Sequence, residues 1–153
     1  MPENRVSAQL TPEDRAAVLE AINTIRQKLP FLIDLSPEER RTLPKMGDKS
    51  RAFVSQALEV AKQNSDFLPR SFDVEEMRRD VELAQSLEPI TTALTQLQEL
   101  VDDTYTAVGS EAYTAALVVY HYGRSSGAGA ALDQLLDGMG QRFARKSRNA
   151  PKP

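Results

Sequence analysis

The sequence has no cysteine, and it has a single histidine, His121. Without cysteine the chain can form neither a disulfide nor a thiolate metal site, and it has no cysteine nucleophile. A di-iron site in a helical bundle takes a histidine from each of two helices, so His121 alone cannot complete one. The sequence therefore predicts a noncatalytic protein with no cofactor, no metal site and no catalytic residue.

Long apolar runs are also missing. The longest covers residues 115–120, far short of the roughly 20 residues that a membrane-spanning helix needs. The opening MPENRVSAQL is polar and has no apolar segment of a secretory signal. We expect a soluble cytoplasmic protein with a flexible N-terminus at 1–10, a single domain at 11–146 and a flexible basic tail at 147–153.

Charge is unevenly distributed along the chain. Residues 141–153 carry five basic side chains and no acid, so the net charge of −3 leaves −8 for the rest. The candidate anion contacts of this segment are Arg142, Arg145, Lys146 and Arg148. The favoured interpretation is a solvated helix end, since positive side chains suit the negative end of a helix. Because the acidic remainder would repel nucleic acid, we predict no duplex DNA binding at physiological salt.

Apolar residues recur every three or four positions, which predicts helices rather than strands. Thr11-Pro12 predicts the cap of a first helix and Asp73 the cap of the longest one. Further helices are expected near 49–63, 77–108, 112–120 and 132–143. Pro89 predicts a kink or a break, Gly109 a stop and restart, and residues 123–129 a loop. The expected fold is all-α, most simply an antiparallel bundle of about four principal helices.

The segment LPFLIDLSPEERRTLPKMGDKS, residues 29–50, joins the first two long helices. It contains three prolines and a cap at Ser36, yet it opens with Leu29, Phe31, Leu32 and Ile33. Such apolar side chains would be poorly soluble in a free loop. We predict a proline-rich strap that lies along the bundle, in which replacing a fully buried Phe31 with alanine would cost about 3–5 kcal/mol.

Three blocks of the sequence carry a resemblance to a known family. The blocks are LPFLIDLSPEERRTLPKMGDKSRAFV, DFLPRSFDVEEM and VGSEAY, and together they span Leu29 to Tyr113. They resemble a family of uncharacterised bacterial all-helical proteins. The resemblance implies a bacterial origin and a helical fold, and it assigns no activity, ligand or functional residue.

One short motif invites a catalytic interpretation. Gly123-Arg124-Ser125-Ser126-Gly127 matches the Gly-x-Ser-x-Gly pattern of serine hydrolases. That chemistry requires a sharp strand-to-helix turn and a histidine that follows the serine. A helix is predicted before this motif and His121 precedes it, so a flexible loop is the favoured interpretation.

Tyr105, Tyr113 and Tyr120 are the candidate ligand or partner groove. Aromatic rings of this kind line apolar ligand cavities and partner-helix grooves, although they also fill bundle cores. Three functions stay open at this point: a helical interaction module that includes self-association, a bundle that binds a small apolar ligand, and anionic-surface or nucleic-acid binding through the basic tail. The first is favoured because no reactive constellation accompanies the core pattern.

Overall fold

The computed structural model describes the backbone of residues 3–147 and the side chains of residues 3–141. This part of the chain contains helices and no strand, which confirms the predicted all-α fold. The α-helices are α1 (Pro12–Lys28), α2 (Pro37–Thr42), α3 (Asp48–Gln63), α4 (Val74–Ser126) and α5 (Ala130–Ser147). A short 3-10 helix, Ser65–Phe67, follows α3.

Side-chain caps fix three of the helix starts. The Thr11 hydroxyl accepts from the Asp14 amide at the start of α1, and Asp73 accepts from the Glu75 and Glu76 amides before α4. Ser36 and Glu39 form a reciprocal capping box at α2. The Ser36 backbone N–H donates to the Glu39 carboxylate and lowers the pKa of that group. These contacts satisfy amides that the first turn leaves without helical partners, so the predicted caps are confirmed.

Helix α4 is the longest element, with 53 residues. It continues through Pro89, and it also continues through Gly109 and Ser110, where the predicted stop and restart is wrong. A proline removes one backbone hydrogen bond and a glycine costs about 1 kcal/mol, whereas ending the helix would leave several backbone groups without partners. The helical spacing of apolar residues continues past both Pro89 and Gly109, and α4 therefore continues through them.

Replacing Gly109 with alanine should stabilise the protein by about 0.5–1 kcal/mol, because glycine in a helix interior is the more flexible residue in the unfolded chain. An added Cβ at Gly109 would meet no heavy atom within 4 Å. The thermal midpoint measures the change. Gly123→Ala is the matched comparison and should stabilise less, since its Cβ would lie 3.0 Å from Leu136 Cδ1. Equal gains at both positions would contradict the described geometry.

The turn between α4 and α5 is shorter than the predicted loop at 123–129, because residues 123–126 are helical. Gly127 and Gly129 have φ values of 62° and 113°, a backbone region that favours glycine. The hydroxyls of Ser125 and Ser126 donate to the carbonyls of His121 and Gly123. The Gly-x-Ser-x-Gly motif thus forms the end of a helix and its turn.

The chain divides into two compact units. The α3 unit is Gln9–Leu97, and the α5 unit comprises Met1–Ala8 and Gln98–Pro153. Helix α4 contributes residues to both. The single domain predicted at 11–146 stays a prediction.

The buried residues of the α3 unit lie on two helices. Leu58 and Ala61 are buried on α3, and Val81 is buried on α4. An ion pair joins Arg51 of α3 to Glu88 of α4, and residues of both helices line a cleft of about 220 Å³. The start of α4 and α3 therefore share one small apolar core.

The α5 unit is held by a close helical hairpin. Leu136 of α5 is buried against Gly123 of α4, and the Tyr120 hydroxyl lies 3.1 Å from the position that a Cβ on Gly140 would take. Glycine at these two positions allows the helices to approach, since a side chain would displace a neighbour.

Much of the apolar surface is left uncovered. Four hydrophobic residues are buried among those described, and α1 has none. Phe31 and Ile33 are 46% and 81% exposed. Neither the antiparallel bundle nor the strap is confirmed, and the cost predicted for a buried Phe31 does not apply to this exposed ring.

Candidate functional site: an apolar stripe on α4

The three predicted tyrosines occupy different surroundings within the α5 unit. Tyr105 is 76% exposed, Tyr113 is exposed and Tyr120 is half-buried. Tyr113 and Tyr120 project from one side of α4, because seven residues make about two helical turns, and Tyr105 is rotated from them by about 60–80°. Tyr120 therefore packs in the hairpin between α4 and α5, whereas Tyr105 is exposed to solvent. A groove that uses all three stays a prediction.

A polar cluster closes the hairpin beside Tyr120. The Arg124 guanidinium donates to Asp137 at 2.6 Å and lies 5.4 Å from the centre of the Tyr120 ring. The Tyr120 hydroxyl and the Asp137 carboxylate raise the pKa of Arg124. Arg124 is charged at neutral pH with or without these neighbours. The cluster therefore has a structural role, in which it links α4 to α5 on the solvent-exposed side of the hairpin.

On α4, a row of six exposed apolar residues forms a separate surface, which we call the α4 stripe. Its members are Val101, Tyr105, Val108, Ala112, Ala115 and Val119. Their spacing averages the α-helical period of 3.6 residues, so the row runs straight along the axis for about 27 Å. A shallow depression of about 370 Å³ lies at its first half, lined by Leu100, Val101, Thr104, Tyr105 and Val108. No member is charged.

The spacing of the stripe was visible in the sequence, but its exposure was not. Periodicity indicates that one helix face is apolar, and it does not reveal what covers that face. Val101 and Val108 would be core residues if a second helix of the same chain lay on them. In the structure both are exposed to solvent.

A second surface of the α5 unit lies between the beginning of the chain and α4. The Arg5 backbone N–H donates to Glu111 Oε1 at 2.7 Å. A groove of about 780 Å³ opens there, lined by Glu3, Arg5, Val6, Asp103, Thr104, Thr106, Ala107, Ser110, Glu111 and Thr114. Sequence reasoning missed this contact, because no local signal links residues that lie 106 positions apart.

The predicted anion contacts cannot be placed. The side chains of Arg142, Arg145, Lys146 and Arg148 lie outside the described residues, although the α5 backbone is helical to Ser147. The basic tail stays a prediction, as does the absence of DNA binding.

His121 has an aromatic neighbour. Its ring meets that of Tyr122 edge-on, with 5.6 Å between the centroids. Within residues 3–141, no group of three or more histidine or acidic side chains is placed to hold a metal ion. None of the helices in the described part is both long enough and apolar enough to cross a membrane.

Comparison with known proteins adds no further assignment. No family model matches the chain, and neither a curated protein nor a solved structure matches it. Function is therefore inferred from the geometry of the helices.

Proposed function

We propose that this protein is a noncatalytic helical interaction module that completes its apolar core by binding another polypeptide, with self-association included. A bacterial origin and a cytoplasmic location belong to the same proposal. The absence of cysteine is compatible with the reducing conditions of that compartment.

The observation that carries this proposal is the uncovered apolar surface. Large hydrophobic side chains are exposed on α1, α3, α4 and α5, whereas four hydrophobic residues of the described chain are buried. A protein interface of standard size takes about 800 Å² from each partner. Exposed apolar patches of more than a few hundred Å² are typical of interaction sites. Association would remove this surface from water.

The four-helix bundle and the strap fit the same proposal as features of the assembled state. Helix α1 has Val18, Ile22 and Ile25 on one exposed face, and Phe31 and Ile33 follow it directly. A partner helix laid on this face would supply the packing that an antiparallel bundle requires. The strap would then cover apolar side chains at an interface instead of an internal core.

Sedimentation equilibrium and urea denaturation over a range of protein concentrations test the proposed function. If folding is coupled to self-association, the urea midpoint rises with protein concentration by mass action. If the partner is a different protein, the tagged chain purified from its native cells should retain it, and the purified partner should raise the midpoint. A chain that is monomeric throughout the range and is stabilised by no co-purified protein would contradict the proposal.

A further inference from the structure

We propose that residues 148–153 dock on an acidic part of α4 in the same chain, at Glu99 and Asp102, and that this contact withholds the basic tail from polyanions. These residues include Arg148 and Lys152 and lie outside the described part of the chain. The direction in which α5 ends, the length of chain that follows it and the charge on α4 together favour this contact. It goes beyond the proposed function, because it needs no second polypeptide.

Helix α5 runs antiparallel to α4 within the α5 unit. Leu136 lies against Gly123. Four residues further along α5, the Cβ position of Gly140 approaches Tyr120, which lies three residues further back on α4. The same pairing continued to the end of α5 places Ser147 opposite about position 113 of α4. The residues that follow Ser147 therefore start on the hairpin side of α4 and can continue along it toward lower residue numbers.

Six residues follow α5 in the sequence, and two of them are prolines, at 151 and 153. An extended chain of this kind advances about 3.1 Å per residue, whereas a helix advances about 1.5 Å. Residues 148–153 can therefore pass about 12 positions of α4 and reach about position 101. On this path Arg148 would lie near position 111 and Lys152 near position 103.

The side of α4 that this path follows is acidic where the path ends. Asp102 lies 18 residues before Tyr120, which makes about five helical turns, so both residues project from the hairpin side. Glu99 lies about one turn beyond Asp102. Both carboxylates are exposed, and neither forms an ion pair with any described residue. Asp102 accepts a hydrogen bond from the neutral amide of Gln98 at 2.8 Å, which leaves its charge unbalanced.

Charge complementarity favours the tail as the segment that covers this site. Between Gln98 and Gly123, α4 has four acidic residues and no basic one, whereas residues 141–153 have five basic side chains and no acid. A second copy of α4 would be repelled by the same charges that attract the tail. Because the tail is joined to α5, its effective concentration at Glu99 and Asp102 is roughly millimolar or higher, so weak exposed ion pairs can hold it at low salt.

Two introduced cysteines measure the docking, since the natural chain has none. Ala150→Cys is combined with Thr106→Cys, on the hairpin side of α4, and disulfide exchange with glutathione gives the effective concentration of the two thiols. The control pair combines Ala150→Cys with Thr104→Cys, which is rotated from position 106 by about 200° and lies on the opposite side. Tethering alone favours position 106, so the dependence on salt and charge decides the outcome.

At about 0.01 M salt, the effective concentration of the first pair should exceed that of the control roughly fivefold or more, and near 1 M salt this ratio should fall at least by half, because the Debye length shrinks from about 30 Å to about 3 Å. A ratio that is the same at both salt concentrations would overturn the docking. A disulfide-linked dimer as the main product would identify a second copy as the tail's partner and would overturn the contact within one chain.

The double variant Glu99→Gln, Asp102→Asn removes both charges and keeps the hydrogen-bond acceptors. In this background the effective concentration of the first cysteine pair at low salt should fall to its value at high salt. The matched control, Glu13→Gln with Glu20→Gln on α1, changes the net charge equally and should leave that concentration unchanged. Equal effects of the two double variants would show a general charge effect and would overturn the site on α4.

Binding to a short fluorescent DNA duplex at low salt tests whether docking withholds the tail. If the tail is docked for about nine-tenths of the time, removing the charges of Glu99 and Asp102 should lower the dissociation constant about tenfold, since only the free tail binds. The control variant on α1 should change it less than about twofold, because general attraction to the polyanion is screened by salt and acts on the whole chain. Equal gains in both variants, or none in either, would overturn the withholding.

Discussion

Replacing Leu136 with alanine is expected to lower the free energy of unfolding by about 2–5 kcal/mol, among the largest effects of any single substitution in this chain. Leu136 is 1% exposed, and its two methyl groups lie against the backbone at Gly123. Removing them would leave a void in the hairpin between α4 and α5. Urea denaturation followed by circular dichroism at a fixed protein concentration measures the loss.

The adjacent residue supplies the control for this experiment. Leu135 is 70% exposed and has the same side chain on the same helix. Leu135→Ala should change the free energy of unfolding by less than about 0.5 kcal/mol. A comparable loss from both substitutions would show that Leu135 is covered in solution, and an unchanged midpoint for Leu136→Ala would contradict the hairpin.

Leu58→Ala is expected to have an effect of similar size, about 2–5 kcal/mol, in the α3 unit. Leu58 is 5% exposed and belongs to the small core that α3 shares with the start of α4. The same denaturation experiment measures the change.

Val60 is the matched position on α3, because it is 53% exposed and lies only two residues further along. Val60→Ala should be close to neutral, since the lost contact is small and alanine is the better helix former. If Leu58→Ala changed the free energy of unfolding as little as Val60→Ala, the result would contradict the described contact between α3 and α4.

The sequence predicted the beginnings of the helices well because caps are local. Thr11, Ser36 and Asp73 each bond to amides two or three residues away, and such a contact can be inferred from neighbouring letters. The continuity of α4 through Gly109 was not predicted. A glycine weakens a helix by about 1 kcal/mol but does not end it when the residues on both sides remain helical.

Contacts between distant segments of the chain could not be predicted from a single sequence, for a different reason. The approach of Leu136 to Gly123 and the hydrogen bond from Arg5 to Glu111 depend on how distant segments meet. The apolar periods of α1 and α4 were read as the faces of an internal bundle, yet Val18 and Val101 are both exposed. The spacing of apolar residues identifies which face of a helix is apolar, but it does not specify which segment packs on that face.

The charge along α4 gives self-association an unusual dependence on ionic strength. Between Gln98 and Gly123 the helix has four acidic residues, Glu99, Asp102, Asp103 and Glu111, and no lysine or arginine. Two copies that associate, as the proposed function includes, would bring these like charges together, and physiological salt screens charges that lie more than about 8 Å apart. Salt should therefore tighten the dimer, whereas it weakens the binding of a basic tail to a polyanion. Dilution into buffer of low ionic strength would then release monomers from the assembly without denaturant.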